Sequence, residues 1–147
     1  DLSSFAPPAD EPGQAHVAVS ARLERELAEI TDPEERAMFL SDLGISDSAL
    51  ERIIAKTYAL LGLISFLTAG DKEVRSWAVK AGSPAPEAAG VIHSDIQKGF
   101  IRADVLGYAD FLTAKDFKKA KELGLSRLEG KEYIVKDGDI IEFRFNV

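Results

Sequence analysis

Cysteine is absent from the 147 residues, so neither a disulfide framework nor a thiolate metal site can form. The longest apolar runs, such as Ala59-Leu60-Leu61-Gly62-Leu63-Ile64, fall far short of the ~20 residues that span a bilayer. No basic, apolar N-terminal stretch marks a signal peptide. A cytoplasmic setting is the default, with no membrane contact. The pattern Gly-x-x-x-x-Gly-Lys-[Ser/Thr] occurs nowhere, so no loop is present to cradle nucleotide phosphates. Methionine occurs once, at Met38, and the chain begins at Asp1; a fragment, or a chain whose start was removed, is the expectation. Positive charge is also scarce, with 18 Lys and Arg against 25 Asp and Glu. Residues 1–61 hold 5 basic and 12 acidic side chains, whereas residues 62–147 hold 13 of each. The second half is therefore no nucleic-acid magnet by total charge, and any RNA contact has to use a local patch.

What is present divides near Gly62. Residues 1–16, with Pro7, Pro8, Pro12 and Gly13, read as a mobile segment or loop. His16-Val17-Ala18-Val19 is a short apolar run of strand type. Ser20 can cap a helix carrying Leu23, Leu27 and Ile30 on one face. Thr31-Asp32-Pro33-Glu34 reads as the next helix start, with Thr31 and Glu34 as a capping box and a stop at Gly44. Ser46 opens a third helix whose buried face would be Leu50, Ile53, Ile54, Thr57, Tyr58 and Leu61.

Beyond Gly62 the period changes to two. Ile64 to Thr68 and Val74 to Val79 read as strands joined by Ala69-Gly70-Asp71-Lys72. Ser83 to Gly90 contains a short small-residue helix, Phe100 to Leu106 is a third strand, and Lys115 to Leu123 is helical with Lys118, Lys119 and Lys121 outward. Glu132 to Val135 and Asp139 to Phe145 read as a closing hairpin around Lys136-Asp137-Gly138. Ile141, Phe143 and Phe145 alternate onto one face, away from Glu142 and Arg144. The order is that of an α+β chain: a short helical segment, residues 1–61, then a β-grasp (ubiquitin-like) unit, residues 62–147.

Several runs in that second unit share one order with a known family. They are Phe66-Leu67-Thr68-Ala69-Gly70, Val74-Arg75-Ser76-Trp77, Gly90-Val91-Ile92-His93-Ser94-Asp95, Lys98-Gly99-Phe100-Ile101, Tyr133 to Ile140 and the final Phe145-Asn146-Val147. Together they resemble the TGS domain of the YchF family, the Obg-like P-loop ATPases. The resemblance implies a β-grasp fold, a parent protein that hydrolyses ATP or GTP with Mg²⁺, and association with the ribosome. It also implies that this chain is not the hydrolytic part: it lacks the phosphate loop and the family's base-recognition motif. Its role would be recognition of ribosomal RNA or protein and coupling to its own N-terminal nucleotide domain, with no DNA partner expected. The rival is a stand-alone β-grasp interaction module without hydrolysis. A regulatory domain of an aminoacyl-tRNA synthetase or a guanosine-tetraphosphate enzyme is a further alternative.

No catalytic residue and no metal site is expected within the chain. Ser20-Ala21-Arg22 is similar to the turn whose backbone amides touch the nucleotide base in P-loop GTPases, although Ser20 also suits an ordinary helix cap. His93 either braces a helix-to-strand turn through Asp95 or backbone, or lies on an RNA or protein contact surface. Lys72, Arg75, Lys80, Lys98 and Arg102 form a candidate phosphate-contacting set, provided Arg75 and Arg102 share a sheet face. The alternative is a solvated face balanced by Asp71, Glu73, Asp95 and Asp104. Trp77 reads as core rather than a stacking platform, and Asp137 and Asp139 as turn formers.

Overall fold

The computed structural model describes residues 7–70 and 73–146, and the chain separates into two compact units, Asp1–Leu61 and Gly62–Val147. Asp71 and Lys72 lie outside the described residues, and so does the start of the segment read as a loop.

In the first unit, Asp10 anchors the described part of that segment. Its carboxylate accepts from the His16 amide at 2.9 Å and pairs with Lys56 Nζ at 2.7 Å. Helix α1 spans Ala21–Glu29 and is capped by Ser20, whose Oγ accepts from the Leu23 amide at 3.4 Å. Helix α2 spans Pro33–Asp42, and its cap is Asp32 rather than Thr31: the Asp32 carboxylate accepts from the Glu34 amide. Asp one position closer to Pro33 takes the role, because a carboxylate caps as well as a hydroxyl. Helix α3, Ala49–Leu61, starts later than Ser46 would place it. Ser48 and Glu51 form a reciprocal capping box there, at 2.7 Å from the Ser48 amide to Glu51 and 3.3 Å back. The expected buried face of α3 is largely open: Leu50 is 62% exposed and Ile53, Ile54 and Leu61 are exposed too. The His16–Val19 run takes no strand assignment. Instead its carbonyls are held by α3, with Lys56 Nζ donating to His16 O at 2.8 Å and Arg52 Nη2 to Ala18 O at 3.0 Å.

The second unit is built on a five-stranded sheet. Its strands are β1 (Leu63–Ala69), β2 (Val74–Lys80), β3 (Phe100–Gly107), β4 (Arg127–Glu129) and β5 (Asp139–Phe145), in the order β2-β1-β5-β3-β4. β1 and β2 form the expected hairpin, paired without interruption from Leu63↔Lys80 to Ala69↔Val74. Helix α4 (Ala85–Ile92) runs through Gly90, and a short helix α5 (Ser94–Lys98) follows it. Two more short helices, α6 (Tyr108–Ala114) and α7 (Phe117–Glu122), lie between β3 and β4.

The closing hairpin is a correction. Glu132 to Val135 is not a strand paired to β5; this segment turns to the start of α4, where the Ala85 amide donates to Tyr133 O and the Val135 amide to Ser83 O. β5 is thereby free to enter the middle of the sheet, parallel to β1 and antiparallel to β3. Asp137-Gly138-Asp139 still makes a turn, and each residue has a bonding reason. Asp137 accepts from the Ser65 amide at 2.8 Å, Gly138 sits at φ +78°, and Asp139 accepts from Tyr133 Oη at 2.7 Å and the Lys136 amide at 2.9 Å.

Each sheet face has its own core. Phe66, Val79, Ala103, Val105 and Ile141 pack with Ala85, Ala88 and Ala89 of α4, whose small side chains admit the helix closely. On the opposite face Leu106 and Ile140 pack with Ala114 and Ala120, joined by Phe111 and Phe117. No helix among the described residues is long and apolar enough to cross a membrane.

Candidate functional site

Strand alternation assigns each candidate cation to a face. On β2, Arg75 shares its face with Trp77 and Val79 and lies opposite Thr68, on the α4 face. On β3, Arg102 alternates with the buried Ala103 and lies with Asp104 and Leu106 on the α7 face. The two arginines therefore do not share a face. They are also three strand spacings apart, roughly 14 Å in the plane of the sheet. The single patch that the sequence allowed is not formed. A period-two pattern fixes parity within a strand; the phase between β2 and β3 depends on pairing, which no local residue announces.

Arg75 is also engaged. Its guanidinium lies 4.4 Å from the centre of the Trp77 ring and 3.9 Å from Glu73. Trp77 is half-buried against the α4-face core and donates Nε1–H to Thr68 Oγ1 at 2.9 Å. With the arginine on its ring and its N–H used, the indole is a core residue. Lys80 lies opposite Leu63 on the α7 face, at the far end of the hairpin from Arg75.

His93 closes α4 and caps α5. Its Nδ1 accepts from the Asp95 amide at 3.2 Å, which requires an unprotonated nitrogen there, and the Asp95 carboxylate lies 3.4 Å from the same atom. The ring is exposed, so bracing and surface contact are compatible. Lys98 ends α5 and is exposed, as is Arg102 three residues beyond the tight junction at Gly99.

The α7 face holds residues that the sequence reading left aside. Arg144 stands directly opposite Arg102 in the β3–β5 register. It donates from Nε and Nη2 to Asp104 Oδ2 at 3.1 and 2.5 Å. Lys121 does not point outward; it reaches the sheet, 3.0 Å from Asp104 and 2.9 Å from Glu142, with its ammonium 5.0 Å from the Phe117 ring centre. Asp104 is only 5% exposed. Burial pushes its carboxyl up, but the hydrogen bonds and charges of Arg144 and Lys121 outweigh that and hold it below the usual carboxylate range. Alternation of Glu142 and Arg144 was visible in the sequence, but the pairing of Arg144 with Asp104 and of Glu142 with Lys121 was not.

Among the described residues, the acidity of Tyr133 is the most displaced. Burial, the hydrogen bond to Asp139 and the carboxylate charge push its hydroxyl from 10.0 to about 12. A group whose pKa rises on folding contributes stability that is whole below 10 and lost as the pH approaches about 12. Tyr133→Phe should therefore lower the urea midpoint at neutral pH, by the equivalent of about 1 kcal/mol for the lost bond. The variant's midpoint should then fall less steeply than the wild type's between pH 10 and about 12. Parallel pH profiles would refute the assignment.

In the helical unit, Ser20 caps α1 and Arg22 bonds Glu26 Oε1 at 2.9 Å, while Ala21 is exposed. The Leu23 amide is taken by Ser20, and the Ala21 and Arg22 amides have no partner among the described residues. A concavity of about 710 Å³ lies there between α2 and the start of α3, lined by Pro33, Arg36, Leu40, Ile45 and Glu51 among others. No three His, Asp or Glu side chains gather as metal ligands among the described residues.

Residues 63–146, more than half of the chain, match the family model YchF-GTPase_C, described as a protein of unknown function (DUF933). The chain belongs to the YchF family. The ribosome-binding ATPase YchF of Bacillus subtilis is 53% identical over 131 residues, which are 89% of this chain and 36% of that protein. That of Haemophilus influenzae is 54% identical over 135 residues, 92% of this chain and 37% of its own length. The chain thus spans little more than a third of these YchF relatives. Among solved structures, the Schizosaccharomyces pombe YchF GTPase superposes with a TM-score of 0.72 at 35% identity, over 90% of this chain and 35% of that one. A GTP-binding protein of Pyrococcus horikoshii shares the fold, with a TM-score of 0.56 at 19% identity.

Proposed function

We propose that this chain is the C-terminal part of a YchF-type ribosome-binding ATPase, serving recognition of the ribosome and coupling to the nucleotide domain of its parent. The observation that carries this reading is the identity of half or more to ribosome-binding ATPases along nearly the whole chain, across both of its units. The second unit is a TGS domain of β-grasp type; the order β2-β1-β5-β3-β4, with a helix laid across one face, supports that assignment. Residues 1–61 are the closing segment of the nucleotide domain and its connecting helices. The extended His16–Val19 run supports this: α3 holds its carbonyls, yet the run has no strand partner among the described residues, as expected of a strand whose sheet lies elsewhere in the parent.

Hydrolysis of ATP, or of GTP, belongs to the parent. Bound Mg²⁺ and nucleotide would supply the polarised phosphate that hydrolysis needs, but this chain lacks the loop that would hold the metal and the phosphates. Only the Ser20-Ala21-Arg22 turn fits a nucleotide, through the two amides left open at the start of α1, which suit the edge of a purine base. Arg75, Lys80, His93, Lys98 and Arg102 remain the candidate ribosome contacts, divided now between two faces. A cytoplasmic site of action follows from the ribosomal partner.

The test is co-sedimentation of the chain with purified ribosomes across a salt series. Pelleting that weakens as salt rises is expected, because phosphate contacts release counterions. Absence of pelleting even at low salt would remove ribosome recognition from this chain and leave it as a partner of its own nucleotide domain.

A further inference from the structure

We propose that Arg102 and Arg144, side by side on the α7 face, form a phosphate-contacting site for the RNA backbone. This rests on the ribosome-recognition reading above and names the surface within it.

Two guanidinium groups directly opposite one another on neighbouring strands repel, an arrangement that does not help the sheet by itself. The structure fixes one of them. Asp104, almost fully buried, accepts from Nε and Nη2 of Arg144 and so holds that guanidinium in a set plane, while the side chain stays 55% exposed. Arg102 is exposed and makes no side-chain hydrogen bond or ion pair among the described residues. One arginine is thus oriented and the other is unspent. Lys121, braced by the same Asp104, adds a third cation, and its other partner is the exposed Glu142. The balancing carboxylate of Asp104 lies below the surface while the cations lie at it. Planar guanidinium forks suit phosphate oxygens, and contacts to phosphate position RNA without reading its sequence. Arg75 cannot join them, because it lies on the opposite face against Trp77.

The experiment is filter binding of purified ribosomal RNA to this chain over a salt series, alongside ribosome co-sedimentation. Wild type is compared with Arg102→Gln, Arg144→Gln and Lys131→Gln, with Trp77 fluorescence as the folding check. Each of the first two should weaken RNA binding and lower the slope of log K against log salt by about 1, whereas Lys131→Gln, at an exposed lysine outside the candidate contacts, should leave it unchanged. If Arg144→Gln disturbs folding, Arg102→Gln decides alone, since Arg102 has no side-chain partner among the described residues to lose. Undiminished RNA binding and slope in Arg102→Gln would overturn the site. Ribosome pelleting lost in Arg102→Gln without any RNA binding by the wild type would assign the face to a protein partner instead. If all variants pellet with ribosomes as wild type does, this site fails and the broader reading stands; if wild type binds neither ribosomes nor RNA, both fall.

Discussion

Gly99→Ala is expected to unfasten the end of β5 and lower the stability of the second unit by about 3 kcal/mol, among the larger losses seen for single substitutions. A Cβ at position 99 would lie 2.1 Å from the Asn146 carbonyl oxygen and 2.9 Å from its carbon. Both are backbone atoms, so no side-chain rotation relieves the overlap. The same two residues are tied by a hydrogen bond from the Asn146 amide to Gly99 O at 3.0 Å, which keeps the strands from parting cheaply. Position 99 has φ −87°, which any residue adopts, so the requirement is for space and not for glycine's freedom of φ. Thermal unfolding followed by Trp77 fluorescence checks the size of the effect, and amide exchange at Phe145 and Asn146 checks its location. An unchanged melting temperature would mean that the β3–β5 end tolerates separation. Because Arg102 and Arg144 meet only three and two residues further in along their strands, the same variant should also weaken RNA binding.

Phe66→Ala should cost about 3–5 kcal/mol, the range for truncating a buried phenylalanine. Phe66 is 0% exposed, and its ring meets Phe143 edge-on at 6.0 Å between centroids. It stands opposite Trp77 in the hairpin register and beneath the alanines of α4, so the cavity would open where β1, β5 and the helix converge. Against a total of roughly 5–15 kcal/mol for a domain, that loss leaves little margin. The chain has a single tryptophan, in the second unit, so urea unfolding read by Trp77 reports that unit alone. A midpoint within the scatter of the wild type would show that the neighbouring side chains collapse into the space.

Local chemistry made much of this legible in advance. The β1–β2 hairpin follows from alternation in Ile64 to Thr68 and Val74 to Val79, and α1 from Ser20 ahead of Leu23 and Leu27. What escaped depended on partners distant in sequence. Glu132 to Val135 has the composition of a strand, but Ser83 and Ala85 claim its backbone, and nothing near residue 132 reveals that. Helices α5 and α6 are too short to show a clear period. The α3 start was readable, since Ser48-x-x-Glu51 is a capping box, but Ser46 two residues earlier drew attention from it. At the candidate site, Arg102 was visible as a cation, whereas Arg144 and Lys121 gained meaning only once Asp104 was seen between them. Arg75 shows the same limit in reverse, since its face depended on a pairing phase that the sequence leaves open.

The central place of β5 has a consequence for how the molecule is made. β1 and β3 are joined through a strand translated after both of them, so the nascent chain holds an isolated hairpin that is marginal in water without further strands. The sheet can close only once residues 139–145 have emerged, and closure spans the long interval between β1 and β5, a non-local step of the kind that slows folding. Until then the apolar surfaces of Phe66, Val79 and Phe100 have no Ile141 or Phe143 to cover them. A protein whose relatives are named for binding ribosomes is, on this topology, unable to complete this unit until its own ribosome has released β5.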